Sequence, residues 1–413
     1  MTAKNRMSLR EWLPLIGITC AAFVFNTSEF MPVALLTSIA SDFSVSEAQA
    51  GMLISVYAWA VMLLSLPLMI LASRVAFRTL LLAVVTLFAL FQVASAVAPG
   101  YWTLMAARLG VAAAHAVFWS IAAPIAIRVV SEEHRPFAMS MIVMGSSVAT
   151  IAGLPLGRMI GLAVGWRMTF CCVAAISVLI LLYMIKVFPQ MKAAKPFSVR
   201  ELPGLIATPA LRGIYLFTAT TMTGFYATYS YIEPFLQQVI GLEGGTVTLV
   251  LSIFGVAGVL GSMAFSRLYG RLHLRFLGTC IAGVAAVLFA LWAAAGLAGG
   301  WAGVGAGVSA SSGAFAFAGI LAIAACGCWG LFGTALNVAL QAEVIKHSSL
   351  GAQAVATSIY SGIYNFGIGC GTLAGGFVVT HAGIANVGLA GGIVAVAALV
   401  YFAAALARRL RAR

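Results

Sequence analysis

Residues 189–212 read PQMKAAKPFSVRELPGLIATPALR. This is the most polar stretch of a 413-residue chain that is 62% hydrophobic and only 8% charged. A soluble domain covers itself with about 25% charged residues, so this chain cannot build a soluble surface. On both sides of the polar stretch lie apolar runs, each close to the roughly 20 residues a helix needs to cross a bilayer. Six precede it, at about 14–38, 50–72, 79–98, 102–125, 139–162 and 168–188. Six follow, at about 213–236, 246–266, 276–297, 313–341, 352–380 and 383–407. A transmembrane β-barrel would alternate in segments of ~10 residues, and these runs are continuous. The expected fold is an all-α polytopic membrane protein of twelve transmembrane helices. An N-terminal six-helix half covers 1–189, a cytoplasmic linker 190–212 and a C-terminal six-helix half 213–413.

The net charge of +13 does not require a nucleic-acid partner. If the N-terminus is cytoplasmic, 20 of the 23 Lys and Arg residues fall on the cytoplasmic side. They are Lys4, Arg6, Arg10, Arg74, Arg78, Arg128, Arg135, Lys186, Lys192, Lys195, Arg200, Arg212, Arg267, Arg271, Arg275, Lys346, Arg408, Arg409, Arg411 and Arg413. Arg158 and Arg167 lie at the opposite side, and Arg108 near the start of span 4. The outer connections carry Asp42, Glu47 and Glu243. This bias follows the positive-inside rule and puts both termini in the cytoplasm. The first run is too long for a signal peptide and reads as an uncleaved span.

The seven cysteines lie in or near spans and read as small apolar filler. The glycine-rich stretch WAGVGAGVSASSGA (301–314) lacks the lysine of a phosphate loop and reads as an outer connection. There is no His-Glu-x-x-His, and the sole aspartate is Asp42. Enzymatic chemistry has no support in the sequence, and no cofactor or metal is expected.

Polar groups inside the spans carry the functional reading. Helical spacing puts Ala22, Asn26, Glu29 and Val33 on one face of span 1. A carboxylate facing lipid costs several kcal/mol, so this face turns toward protein or a water-filled cavity. An amide would serve for packing, whereas a carboxyl group can also gain and lose a proton. In span 4, Arg108, Ala112, His115 and Trp119 form one stripe, and Glu29 is the natural partner for its two basic groups. Span 7 puts Tyr226, Ser230 and Glu233 on one face beside Tyr229. Span 10 offers Asn337 and Gln341, span 11 Tyr360, Tyr364 and Asn365, and span 2 Tyr57. Aromatic rings with amides and hydroxyls beside them suit a small polar ligand. Small residues at four-residue steps, Gly145, Ala149, Gly153, Gly157 and Gly161 in span 5 and Gly367, Gly371 and Gly375 in span 11, allow close helix approach. The halves look related: Glu29 precedes Pro32 in span 1, and Glu233 precedes Pro234 in span 7. Duplicated halves are a transporter feature.

Twelve spans, a basic central loop, Arg108 in span 4 and GLPLG (153–157) in span 5 resemble the major facilitator superfamily. More narrowly, FNTSEFMPVALL, YAWAVMLLSLPLMIL, AHAVFWSIAA, GLPLGRMIG, YSYIEPF and YNFGIGCGTLAGG resemble the sugar efflux type of the bacterial drug:proton antiporter group. The resemblance implies proton-driven export of sugars such as arabinose, lactose and thiogalactosides across the inner membrane. It implies alternating access, a proton gradient as the energy source and a monomer in the bilayer. It assigns proton coupling to Glu29, His115 and Arg108, to which Glu233, an acid within span 7, adds a fourth candidate. It gives Gly153, Pro155 and Gly157 of the antiporter motif a conformational role. The loop after span 2 departs from the family pattern: Ser73 stands where an aspartate is usual and Ala76 where a glycine is, while Arg74 and Arg78 remain. The alternatives are a multidrug:proton antiporter of the same fold and a sugar-binding membrane receptor without transport.

Overall fold

The computed structural model describes residues 7–72, 75–191, 208–299, 312–348 and 353–411. Most of the linker, Arg74 and most of the 301–314 connection therefore lie outside the described residues. Within them the chain is helical throughout: α1 (Leu9–Ala34), α2 (Leu36–Asp42), α3 (Glu47–Ala72), α4 (Phe77–Ala96), α5 (Tyr101–Ala126), α6 (Arg135–Val148), α7 (Leu154–Val164), α8 (Trp166–Val187), α9 (Pro209–Tyr229), α10 (Gly244–Leu297), α11 (Ser312–Lys346), α12 (Gln353–Ala382) and α13 (Val387–Tyr401).

Ten stretches among the described residues are long and apolar enough to cross a membrane. One of them, α10, has 54 residues, or about 80 Å at 1.5 Å per residue, more than twice a hydrocarbon core. Its backbone leaves helical geometry at Leu272 (φ −125°, ψ 21°), so it supplies two spans. The 21-residue α9 supplies another. The result is the twelve-helix polytopic architecture.

The chain forms two compact units. The first comprises Met1–Met31 with Ala60–Ser198, the second Pro32–Trp59 with Val199–Arg413. The division falls inside α1 and α3. In the first unit, α4 packs on α5 and α8; in the second, α9 packs on α12 and α13.

Prolines shape the spans by removing backbone donors. In span 5, a five-residue π-helical turn, Ala149–Gly153, separates α6 from α7. Pro155 sits in the first turn of α7, where its missing N–H leaves Ile151 without an i+4 donor. The glycines of this span pack on α1. A Cβ on Gly145 would lie 2.5 Å from the Thr19 carbonyl, and one on Gly153 or Gly157 would collide with Thr27 or Met31. The second unit repeats the arrangement with α12 on α9. There a Cβ on Gly367 or Gly371 would lie 2.5 Å from Met222 Cβ or the Thr223 carbonyl. Both glycine ridges are thus tight helix seams inside their own units.

Candidate functional site

The site on α1 starts from Pro32, the residue that follows the first unit's Met31. It has no N–H to give the carbonyl of Ser28, four residues back in α1. Arg108 of α5 fills that place. Its Nη1 donates to Ser28 O at 3.1 Å and to Ser28 Oγ at 3.2 Å, and its Nη2 donates to Glu29 O at 3.3 Å. Gln92 of α4 also donates to Ser28 Oγ. Arg108, Ser28 and Gln92 are all buried, so Arg108 is no surface-seeking arginine at a helix end. An arginine in hydrocarbon costs about 2.5–3.5 kcal/mol on insertion scales; here three oxygen contacts offset it.

This clamp orients the next side chain. The Glu29 carboxylate lies 3.6 Å from Nε2 of His115, and their side chains are 11% and 4% exposed. His115 is walled by rings. Phe25 stacks between Phe88 and Phe118 at centroid distances of 3.9 and 4.2 Å, and His115 lies 6.1 Å from Phe25 and 6.0 Å from Trp119. Asn26 donates to the Ser146 carbonyl at 3.3 Å, tying α1 to α6. Of the sequence stripe, Arg108 and His115 reach Glu29, while Trp119 packs on the His115 ring. The division of labour differs from simple pairing: Arg108 holds backbone at Ser28 and Glu29, while the carboxylate meets the imidazole.

The second unit carries an aromatic and amide group. Tyr226 and Tyr364 meet hydroxyl to hydroxyl at 3.3 Å. Tyr360 donates to Asn337 Oδ1 at 2.6 Å, and Asn365 donates to the Ser361 carbonyl at 3.0 Å. Tyr229 lies edge-on to Trp329 at 5.7 Å, with Phe225 and Phe254 completing the cluster. Among the described residues, the buried Trp329 Nε1 and Asn365 Oδ1 have no hydrogen-bond partner. Burying such atoms unbonded costs about 1–3 kcal/mol each. Trp329 is missing from the sequence reading because it reads as one more apolar residue. Tyr57 is buried in α3, and Gln341 is exposed on α11.

The face expected to join Tyr226, Ser230 and Glu233 is broken. Helix α9 ends at Tyr229, and Tyr231 (φ −113°, ψ 13°) starts a new turn. Ser230 consequently pairs with Thr372 Oγ1 at 2.6 Å. Glu233 accepts from the Thr37 N–H at 3.1 Å, from Thr37 Oγ1 at 2.8 Å and from Gln237. Span 1 also breaks, but after its proline rather than before it: Leu35 (φ −124°, ψ 19°) separates α1 from α2. Arg78 donates to the Ile185 carbonyl at 2.8 Å, so it fastens α4 to α8.

Buried ionisable groups inside a bundle of twelve apolar helices mark a functional membrane protein. The chain belongs to the Major Facilitator Superfamily, whose profile matches residues 18–328. Membership places it among transporters rather than enzymes. A protein of Mannheimia succiniciproducens named "Probable sugar efflux transporter" is 38% identical over 392 residues, covering 95% of this chain and 93% of that one. One of the same name from Pasteurella multocida is 37% identical over 393 residues, covering 95% and 92%. Another from Helicobacter pylori is 38% identical over 381 residues, covering 92% of each. The fold is similar to that of a peptide transporter, POT (TM-score 0.75, 13% identity, 96% and 94% covered). It is also similar to a nucleoside transporter, NupG (TM-score 0.74, 15% identity, 95% and 99% covered).

Proposed function

We propose that the protein exports sugars and sugar analogues from a bacterial cytoplasm by exchanging them for protons, through alternating access. The observation that carries this reading is the Glu29–His115 contact at 3.6 Å inside an apolar helix bundle. A permanently charged pair there would only burden the fold, whereas a carboxyl–imidazole pair can exchange a proton. The full-length relatives named for sugar efflux support the substrate class. The aromatic and amide cluster of Trp329, Tyr229, Tyr226, Tyr364, Tyr360 and Asn337 is chemically matched to a sugar: ring faces for C–H patches, an amide and an indole N–H for hydroxyls.

In this cycle Glu29 takes a proton from outside. Its neutral form favours the inward-facing state. Inside, sugar arrives, the proton leaves, and the recharged carboxylate biases the return. Each ligand shifts the two states only by its differential affinity for them. Glu233 is a second coupling candidate. Gly153, Pro155 and Gly157 provide the close seam along which α1 and span 5 adjust. The protein works as a monomer in the inner membrane, its two six-helix halves joined by a cytoplasmic linker and both termini cytoplasmic. It needs no cofactor beyond the proton gradient.

The substrate reading is tested in proteoliposomes by counterflow of labelled arabinose, lactose and a thiogalactoside, with a lipophilic cationic dye alongside. Sugar counterflow without dye movement is expected. Dye extrusion without sugar counterflow would make the protein a multidrug antiporter, and sugar binding without counterflow would make it a receptor.

A further inference from the structure

The stretch YFAAALARRLRAR (401–413) is basic, yet its apolar residues hold it against the bundle. After α13 a π-helical turn, Phe402–Leu406, leads into a short helix α14 (Ala407–Arg411). Phe402, Leu406 and Leu410, at four-residue steps, are all buried. The Phe402 ring lies 5.7 Å from that of Phe217 on α9. It also fills the space beside Gly278 of α10, where a Cβ would lie 3.1 Å from the ring. Leu406 covers Gly213 of α9 in the same way, at 2.9 Å. With three apolar residues turned to the bundle, Arg408, Arg409 and Arg411 are left exposed.

Two donors converge where this segment crosses α9. Nη1 of Arg409 and the Tyr401 hydroxyl each lie 3.5 Å from the point a Cβ on Gly213 would occupy. Among the described residues, neither atom has a hydrogen-bond partner. Arg212, next in the chain to Gly213, is exposed in the first turn of α9. The partial positive charge of a helix start disfavours a cation and attracts an anion. Arg275, one turn before Gly278, is exposed as well. Among the described residues, none of Arg212, Arg275 and Arg409 has an ion pair with a carboxylate. A guanidinium fork matches the oxygens of a phosphate. The surface continues as hydrocarbon. Leu216, one turn along α9 from Arg212 on the same face, is 54% exposed, and Val400, beside Tyr401, is 59% exposed. A charged head with apolar tails matches both parts, whereas a free phosphate would use only the arginines.

We infer that this surface is a binding site for an anionic phospholipid. The phosphate sits over Gly213 between Arg409, the Tyr401 hydroxyl and Arg212, and the acyl chains lie along Leu216 and Val400. The positive-inside rule puts these arginines at the cytoplasmic leaflet, where anionic headgroups attract basic segments beside a span. A tyrosine at the end of a span stands at the level of the headgroups. The bound lipid supplies the acceptors that Arg409 and Tyr401 do not find in the protein. It joins the start of α9 to the segment after α13, both in the second unit. The site is independent of what the protein transports.

The test is native mass spectrometry of the delipidated full-length protein in detergent. It is titrated with phosphatidylglycerol, with phosphatidylcholine of the same acyl chains, and with inorganic phosphate as competitor. Wild type is expected to hold phosphatidylglycerol more tightly than phosphatidylcholine. Arg409→Gln is expected to weaken phosphatidylglycerol about fivefold and to leave phosphatidylcholine unchanged. Tyr401→Phe, which keeps the ring, is expected to give a smaller loss of the same sign. Lys186→Gln removes an exposed basic residue at the end of α8 in the first unit and is expected to bind as wild type does. Equal affinity of wild type for the two lipids overturns the site, as does unchanged phosphatidylglycerol binding in Arg409→Gln. An equal loss in Lys186→Gln would show diffuse attraction to basic charge and overturn it too. Displacement of the lipid by inorganic phosphate would make it a free-anion site and overturn the lipid assignment. If Arg409→Gln does not fold, Arg212→Gln gives the same reading, with the same loss expected.

Discussion

Nη1 of Arg108 donates to the carbonyl of Ser28 at 3.1 Å. That carbonyl is available because Pro32 has no N–H to occupy it. A helix defect and a buried arginine thus answer each other, and between them sits Glu29. Replacing Arg108 by Ala is expected to destabilise the protein by about 1–3 kcal/mol, the cost of leaving a buried acceptor unmet. In a Pro32→Ala background, residue 32 regains its N–H and the same replacement is expected to cost less. Thermal unfolding of the four variants in detergent measures the coupling as a double-mutant cycle.

The span 5 seam predicts an order of tolerance. A Cβ at Gly145 would meet the Thr19 backbone carbonyl at 2.5 Å, which cannot step aside. At Gly157 it would meet the Met31 thioether, the end of a flexible side chain. Gly145→Ala is therefore expected to cost about 1–3 kcal/mol and Gly157→Ala less, measured by thermal unfolding.

Trp329→Phe keeps the ring that packs on Tyr229 and Phe225 but removes Nε1–H, which has no partner among the described residues. Stability is expected to hold. If the indole N–H donates to a sugar hydroxyl, KM in counterflow rises about tenfold, equivalent to 1.4 kcal/mol, with little change in maximal rate. An unchanged KM would remove Trp329 from the sugar site.

Thr37 gives Glu233 two hydrogen bonds, from its N–H at 3.1 Å and its hydroxyl at 2.8 Å. Thr37→Val loses one of them and is expected to cost about 1 kcal/mol. Glu233→Leu strips the acceptor from Thr37 and Gln237 together and is expected to cost more. Melting temperatures of the two variants check the order.

Much of this is legible in the sequence, for physical reasons. Ionisable groups stand out against apolar runs, so Glu29, Arg108 and His115 can be found and aligned by helical spacing. The glycine ridges show by their four-residue steps. Ser28 and Gln92 do not show, because a hydroxyl and an amide on different spans acquire meaning only when folding brings them together. Glu343, buried on α11 where it accepts from the Tyr269 hydroxyl, escapes notice because hydropathy falls off near 341, while α11 continues to Lys346. The spacing Glu343-x-x-x-His347 is the signal that could have found it. The break after Tyr229 is equally hidden: Pro234 announces a disturbance, but its effect on which way Ser230 and Glu233 point depends on the whole turn.

The central claim is that Glu29 carries the coupling proton. It is tested most directly by labelled-sugar uptake into everted membrane vesicles under an imposed proton gradient, comparing wild type with Glu29→Gln. Wild type is expected to accumulate sugar above the external concentration, and the variant only to equilibrate it. Equal accumulation by both would contradict the claim and leave His115 or Glu233 to carry the proton.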